Sequence, residues 1–104
     1  MATEKEVLKK LSEVIDPELG IDIVELGLIY GVKAHKKEKG KDQKIEIRMT
    51  FTTPACPMIN FMLTQVEERL NEIKDADIEV TVVFDPPWTP DRMSKKAKLK
   101  LGIE

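Results

Sequence analysis

Residues 45–73, IEIRMTFTTPACPMINFMLTQVEERLNEI, carry two hydrophobic periods back to back, and the switch between them decides the fold. Ile45, Ile47, Met49 and Phe51 alternate with Glu46, Arg48, Thr50 and Thr52, the period of a strand with one wet face. From Ile59 the period lengthens. Ile59, Met62, Leu63, Val66, Leu70 and Ile73 sit three or four apart, as along one stripe of a helix. Pro57 suits the first helical position, where a missing N–H costs nothing, so the spacing predicts a helix from Pro57 to about Lys74.

Working upstream, Leu28 to Lys37 reads as a strand running out to a polar tip. Lys39-Gly40-Lys41-Asp42 supplies turn chemistry, so this strand and the one at 45–52 should form a hairpin. Thr3 and Glu6 have capping-box spacing, and Val7, Leu8, Leu11, Val14 and Ile15 recur at helical intervals, which predicts a helix from Glu4 to Ile15. Pro17 cannot continue it. Ile21 to Gly27 is apolar without alternation and reads as an ordered loop. Downstream, Ile78, Val80, Val82 and Phe84 alternate as a third strand, which Asp85-Pro86-Pro87-Trp88-Thr89-Pro90 stops. Met93, Ala97 and Leu101 predict a short helix ending at Gly102. The order α-β-β-α-β-α predicts a small α+β fold in one domain over residues 1–104, a three-stranded mixed sheet with helices on one face.

Hydrophobic residues make up 41% of the 104 and charged residues 35%, enough for one modest core. A net charge of -2, from 17 basic and 19 acidic residues, gives no reason to expect nucleic acid or an anionic membrane as partner. No apolar run approaches the roughly 18 residues of a membrane helix. Met1-Ala2-Thr3-Glu4-Lys5-Glu6 lacks the basic start and apolar core of a signal peptide, and a single cysteine cannot form an internal disulfide. A cytoplasmic protein is expected. The lysines at the hairpin tip (Lys36, Lys37, Lys39, Lys41 and Lys44) read as a solvated edge device, and His35 among them as solvated.

Thr52-Thr53-Pro54-Ala55-Cys56-Pro57-Met58 departs from ordinary core-building. Directly before Pro57, Cys56 is expected at the N-cap of the long helix or beside it. There the unpaired N–H groups and the positive end of the dipole favour thiolate, the form that binds soft metals. The bland alternative is a small buried hydrophobe. One thiol cannot hold a cluster that wants four ligands, so any cluster would be shared with another chain or completed by carboxylates or a small thiol. Asp16, Glu18 and Asp22 read first as a helix stop with solvated charges and second as auxiliary ligands or partner contacts. Trp88, the one tryptophan, reads as a core anchor, with partner docking as the alternative. Met58 and Met62 fit the core. No phosphate-cradling glycine loop, paired-cysteine metal motif or G-x-S-x-G elbow occurs. His35 stands at the far end of a strand, which argues against a Cys–His nucleophile.

Three separated segments together resemble one family. They are Asp16-Pro17-Glu18-Leu19-Gly20-Ile21-Asp22-Ile23-Val24-Glu25-Leu26-Gly27-Leu28-Ile29-Tyr30, then Thr50 to Pro57, then Asp85-Pro86-Pro87-Trp88-Thr89-Pro90-Asp91 with Met93-Ser94. This is the pattern of the PaaD-like and SufT-like metal–sulfur cluster biosynthesis family, over nearly the whole chain. The resemblance implies a fold like the C-terminal domain of NifU-type scaffolds. It also implies a non-enzymatic accessory, carrier or targeting role in maturing iron–sulfur proteins. It puts the family's cysteine on Cys56, as a transient ligand of iron or an iron–sulfur cluster, with Asp16, Glu18, Asp22, Thr53 and Trp88 as auxiliary or partner contacts. The implied partners are other iron–sulfur assembly proteins and client apo-proteins, and a homodimer if the cluster is shared. The alternative is a metal-free adaptor that docks clients such as a multicomponent ring oxygenase.

Overall fold

The structure, a computed structural model, describes residues 2–52 and 57–102. The elements run α1 (Glu4–Leu11), β1 (Ile29–Ala34), β2 (Gln43–Met49), α2 (Ile59–Leu70), β3 (Ala76–Val82), a 3-10 turn (Pro90–Arg92) and α3 (Lys95–Leu101). The sheet order is β1-β2-β3, antiparallel between β1 and β2 and parallel between β2 and β3, so the expected α+β fold with a mixed three-stranded sheet is what forms.

The alternation read in β2 is the burial pattern observed. Gln43, Ile45, Ile47 and Met49 are buried, while Lys44 and Arg48 are exposed and Glu46 is half-buried. The buried row meets Val7 and Leu11 of α1 and Met62, Val66 and Leu70 of α2 in one core, which also takes in Leu26, Leu28, Phe51, Met93 and Ala97. Gln43, only 2% exposed, stands in this apolar row without being orphaned. Its Oε1 accepts from the Ala2 N–H at 2.8 Å, and its Nε2 donates to the carbonyls of Ala2 at 2.8 Å and His35 at 2.9 Å. One side chain therefore ties the N-terminal segment to the sheet while satisfying its own buried polar atoms.

Helix ends are where the structure departs from the periodicity. α1 stops at Leu11, not Ile15. The residue before a proline is pushed out of the helical region, and Asp16 precedes Pro17. Ile15 instead forms an isolated antiparallel bridge with Asp22, the Asp16 N–H donates to the Ile21 carbonyl at 2.9 Å, and the Ile15 side chain is 48% exposed. The N-terminal cap is as expected: Thr3 Oγ1 accepts from the Glu6 N–H at 3.1 Å and donates to Glu6 Oε1 at 3.4 Å. α2 starts at Ile59 and ends at Leu70, short of Lys74, because the chain must reverse into β3. It does so with Asp75 at φ 55°, whose carbonyl accepts from the Gln43 N–H at 2.8 Å. α3 ends as predicted, with Gly102 at φ 72°.

The hairpin tip is exposed, as read, but His35 is not merely solvated. Pairing of Ala34 with Ile45 sets a register that brings His35 Nε2 to 2.5 Å from Glu46 Oε2. That contact holds the Glu46 carboxyl below its ordinary range, with the Lys44 charge assisting.

Candidate functional site

Because β1 runs against β2 and β3 runs with it, the start of β1 and the ends of β2 and β3 lie at the same end of the sheet. The Thr50 N–H donates to the Leu28 carbonyl at 2.8 Å and the Val83 N–H to the Met49 carbonyl at 2.9 Å, which extends the pairing by a residue or two at that end. The described parts of the three segments singled out in the sequence thus emerge side by side: residues 22–28 before β1, 50–52 after β2 and 83–94 after β3. Loops beyond the carboxyl ends of parallel strands are a recurrent place for binding sites.

Cys56 and Thr53 lie outside the described residues. On either side of them, Phe51 is buried and Met58 packs half-buried against the core. The N-cap of α2 is Met58, with no side-chain cap hydrogen bond, and Pro57 stands in the turn before it. The expectation that Pro57 opens the helix is corrected accordingly, while the expectation that Cys56 occupies or adjoins its cap falls on a residue outside the described ones.

The carboxylates have local work. Asp16 is 7% exposed, so it is not a solvated charge. Its Oδ1 accepts from the N–H groups of Glu18 at 2.8 Å and Leu19 at 3.2 Å, and the Gly20 N–H donates to its carbonyl at 2.8 Å. Asp22 Oδ2 accepts from the N–H groups of Val24 and Glu25, both at 3.1 Å. Each aspartate therefore closes a turn in which the backbone would otherwise lack acceptors. Glu18 is exposed, and its side chain closes neither turn. Asp16 and Asp22 are brought close by the Ile15–Asp22 bridge. Among the described residues no group of three or more His, Cys, Asp and Glu could hold a metal ion.

Trp88 is half-buried, and its Nε1 donates to the Leu26 carbonyl at 2.7 Å, so the anchor reading describes it. Around it the third segment is sewn to the first. The Ser94 N–H donates to the Glu25 carbonyl at 2.8 Å, and the Ser94 hydroxyl donates to Glu25 Oε2. The Tyr30 hydroxyl donates to the Pro86 carbonyl at 2.8 Å. Gly27, at φ +77°, lies so close to the 3-10 turn that a Cβ there would stand 2.2 Å from the Arg92 carbonyl oxygen. Only glycine meets both conditions.

Sequence reasoning missed four residues of this end: Gly27, Tyr30, Arg48 and Arg92. Their signals were present but weak. Gly27 and Tyr30 stand inside the first family-like segment, and alternation puts Arg48 on the wet face of β2. A bulge between Ile29 and Gly31 sets two β1 residues against one on β2 and re-aims Tyr30. The Arg92 guanidinium then lies 4.5 Å over the Tyr30 ring. Phe61, in the first turn of α2, and Phe84, just past β3, are 47% and 37% exposed.

Comparison with known proteins agrees with this arrangement. The profile of the family described as iron–sulfur cluster assembly protein matches residues 4–82. Over 91 residues the chain is 47% identical to the Fe-S protein maturation auxiliary factor SufT of Staphylococcus aureus, covering 86% of this chain and 98% of that protein. It is 39% identical over 104 residues to the Fe-S protein maturation auxiliary factor YitW of Bacillus subtilis, covering 99% of this chain and 97% of the relative. The crystal structure of a domain of unknown function from Bacillus anthracis superposes with a TM-score of 0.82 at 42% identity, covering 97% of this chain and 92% of that one.

Proposed function

The chain belongs to the family of iron–sulfur cluster assembly proteins, and from that premise we propose that it is a non-enzymatic auxiliary factor in the maturation of iron–sulfur proteins. Its partners are assembly proteins and client apo-proteins, and Cys56 contributes one transient ligand to iron or a cluster in passage. The observation that carries this reading is the convergence of the three segments at one end of the sheet, with the described residues flanking Cys56 among them. Asp16 and Asp22 are engaged in closing turns, so they support the loop around the site more than they complete a ligand set. The remaining ligands then come from a second copy of this chain, from a partner or from a small thiol, since a cluster wants four. Among the described residues no helix is long and apolar enough to cross a membrane.

Anaerobic reconstitution with iron and sulfide tests the proposal, in wild type and in Cys56→Ala. The expected result is a visible chromophore at about half a cluster per chain, with wild type running as a dimer while loaded and the variant colourless. Equal, negligible loading of both proteins would exclude direct cluster binding.

A second reading, a metal-free adaptor that docks clients, is favoured by the exposure of Phe61 and Phe84 at the same end. Exposed aromatic rings on ordered elements are frequent anchors in interfaces. In that case client co-purification survives Cys56→Ala and is lost in Phe61→Ala with Phe84→Ala.

A further inference from the structure

Gly27, Ile29, Tyr30, Arg48, Pro86 and Arg92 line a cleft of about 340 Å³ where the open face of the sheet meets the convergent loops. Most charges on this face of the sheet are paired: Lys44 meets Glu46 and Glu79, and Glu46 also meets His35. The two arginines of the cleft are different. Among the described residues neither guanidinium pairs with a carboxylate, although Asp85 and Asp91 belong to the same loop as Arg92.

Arg92 is also held in place, and Arg48 has open space beside it. The Arg92 guanidinium carbon lies 4.5 Å over the Tyr30 ring centroid, a cation–π contact that uses none of the group's N–H donors. Its backbone is fixed by the close approach of Gly27, and the Tyr30 ring is fixed by its hydroxyl on the Pro86 carbonyl. Arg48 projects from β2 over Gly31, where a Cβ would stand 4.0 Å from Nη2, so the missing side chain leaves its guanidinium room. Guanidinium forks present two parallel donors to a planar or tetrahedral oxyanion, and orienting them beforehand reduces what binding must order. The volume matches a small molecule more than a polypeptide segment.

We infer that this cleft is an oxyanion site, in which Arg48 and Arg92 grip a small polycarboxylate or phosphate group against the Tyr30 edge. The site stands independently of Cys56 and of any cluster, so its test uses the iron-free protein. Inorganic phosphate and citrate are titrated separately at constant ionic strength, with the Arg Nε–H signals of Arg48 and Arg92 read by NMR. Saturable shifts of both signals are expected with at least one of the two. Saturation by phosphate alone assigns a phosphate group, by citrate alone a polycarboxylate, and by both a general oxyanion site. Arg48→Gln and Arg92→Gln should each weaken binding about tenfold, as loss of a charged hydrogen bond does. Arg48→Lys, which keeps the charge and the fold but not the fork, should weaken it too. Lys33→Gln, on the same face, should leave affinity unchanged. No saturable shift up to roughly 10 mM of either anion overturns the inference. So does an equal loss in Lys33→Gln, which would reduce the effect to general surface charge.

Discussion

Replacing Gly27 by alanine should damage this protein far more than the same change at Gly20, and the difference can be worked from two numbers. Both glycines have positive φ, +77° at Gly27 and +69° at Gly20, so both alanines meet the strain of the left-handed region, about 1–2 kcal/mol. Both also gain the same small offset, about 0.4–1 kcal/mol, from a less flexible unfolded chain. These contributions cancel in the comparison. What remains is space. A Cβ at Gly20 meets nothing within 4 Å, whereas at Gly27 it stands 2.2 Å from the Arg92 carbonyl oxygen and 2.7 Å from its carbon. Those are backbone atoms of the 3-10 turn, so the turn must retreat until an ordinary contact of 3.4 Å or more is restored. Forced overpacking of this kind costs about 1–3 kcal/mol. Urea denaturation followed by Trp88 fluorescence measures it, and heating offers a second readout. Each kcal/mol moves Tm by about 4–8 °C in a domain of this size. The loaded turn also carries Arg92 and leads into Ser94, so Gly27→Ala should broaden the NMR signals of residues 88–94 while Gly20→Ala leaves them sharp. If Gly27→Ala is no less stable than Gly20→Ala, the close approach is wrong and so is the account of how Arg92 is held.

Gln43→Leu should cost about 2–3 kcal/mol despite suiting its apolar neighbours, because the Ala2 and His35 backbone groups lose their partner; thermal unfolding within experimental error of wild type would refute this. Trp88→Phe keeps most of the ring but leaves the Leu26 carbonyl unbonded, for a loss of about 1 kcal/mol by far-UV circular dichroism melts, and Trp88→Ala should lose more. An unchanged melting curve for Trp88→Ala would contradict its place as an anchor. The hydrogen bond with His35, helped by Lys44, depresses the Glu46 carboxyl below its ordinary value of 4.5, so its contribution is present above that pH and fades as pH falls through the lower folded value. A carboxyl-carbon NMR titration should therefore show the Glu46 midpoint rising in His35→Ala, and no movement would disprove the pairing.

The sheet and the core were legible because a period of two needs only neighbours to be read, and in β2 it matches the observed burial residue for residue but for half-covered Glu46. Caps set by a single residue were legible too, at Thr3 through its hydroxyl and at Gly102 through its backbone freedom. Boundaries set by tertiary hydrogen bonds were not. Nothing in Val14-Ile15-Asp16 reveals that Ile15 will bridge to Asp22, or that Asp16 will be buried as the acceptor of a turn and not solvated. His35 was misread for a related reason: its partner is fixed by hairpin register, which depends on the pairing of Ala34 with Ile45. At the site, Trp88 stood out by its rarity and rigid surroundings, whereas Arg48 and Arg92 are two of many charges in a highly charged chain. Only the folded arrangement shows that these two lack carboxylate partners among the described residues.

The stitching between the first and third segments bears on where this domain ends. The family profile closes at residue 82, the last residue of β3. Yet the Trp88 indole that caps the Leu26 carbonyl, the Ser94 amide and hydroxyl that hold Glu25, and the backbone that closes on Gly27 all come later in the chain. The stretch that the family profile matches is thus shorter than the stretch these contacts tie together. A fusion or excision planned on residues 4–82 would keep every strand and lose the clasp, leaving the loop before β1 with unanswered hydrogen bonds at the end of the sheet where the three segments meet.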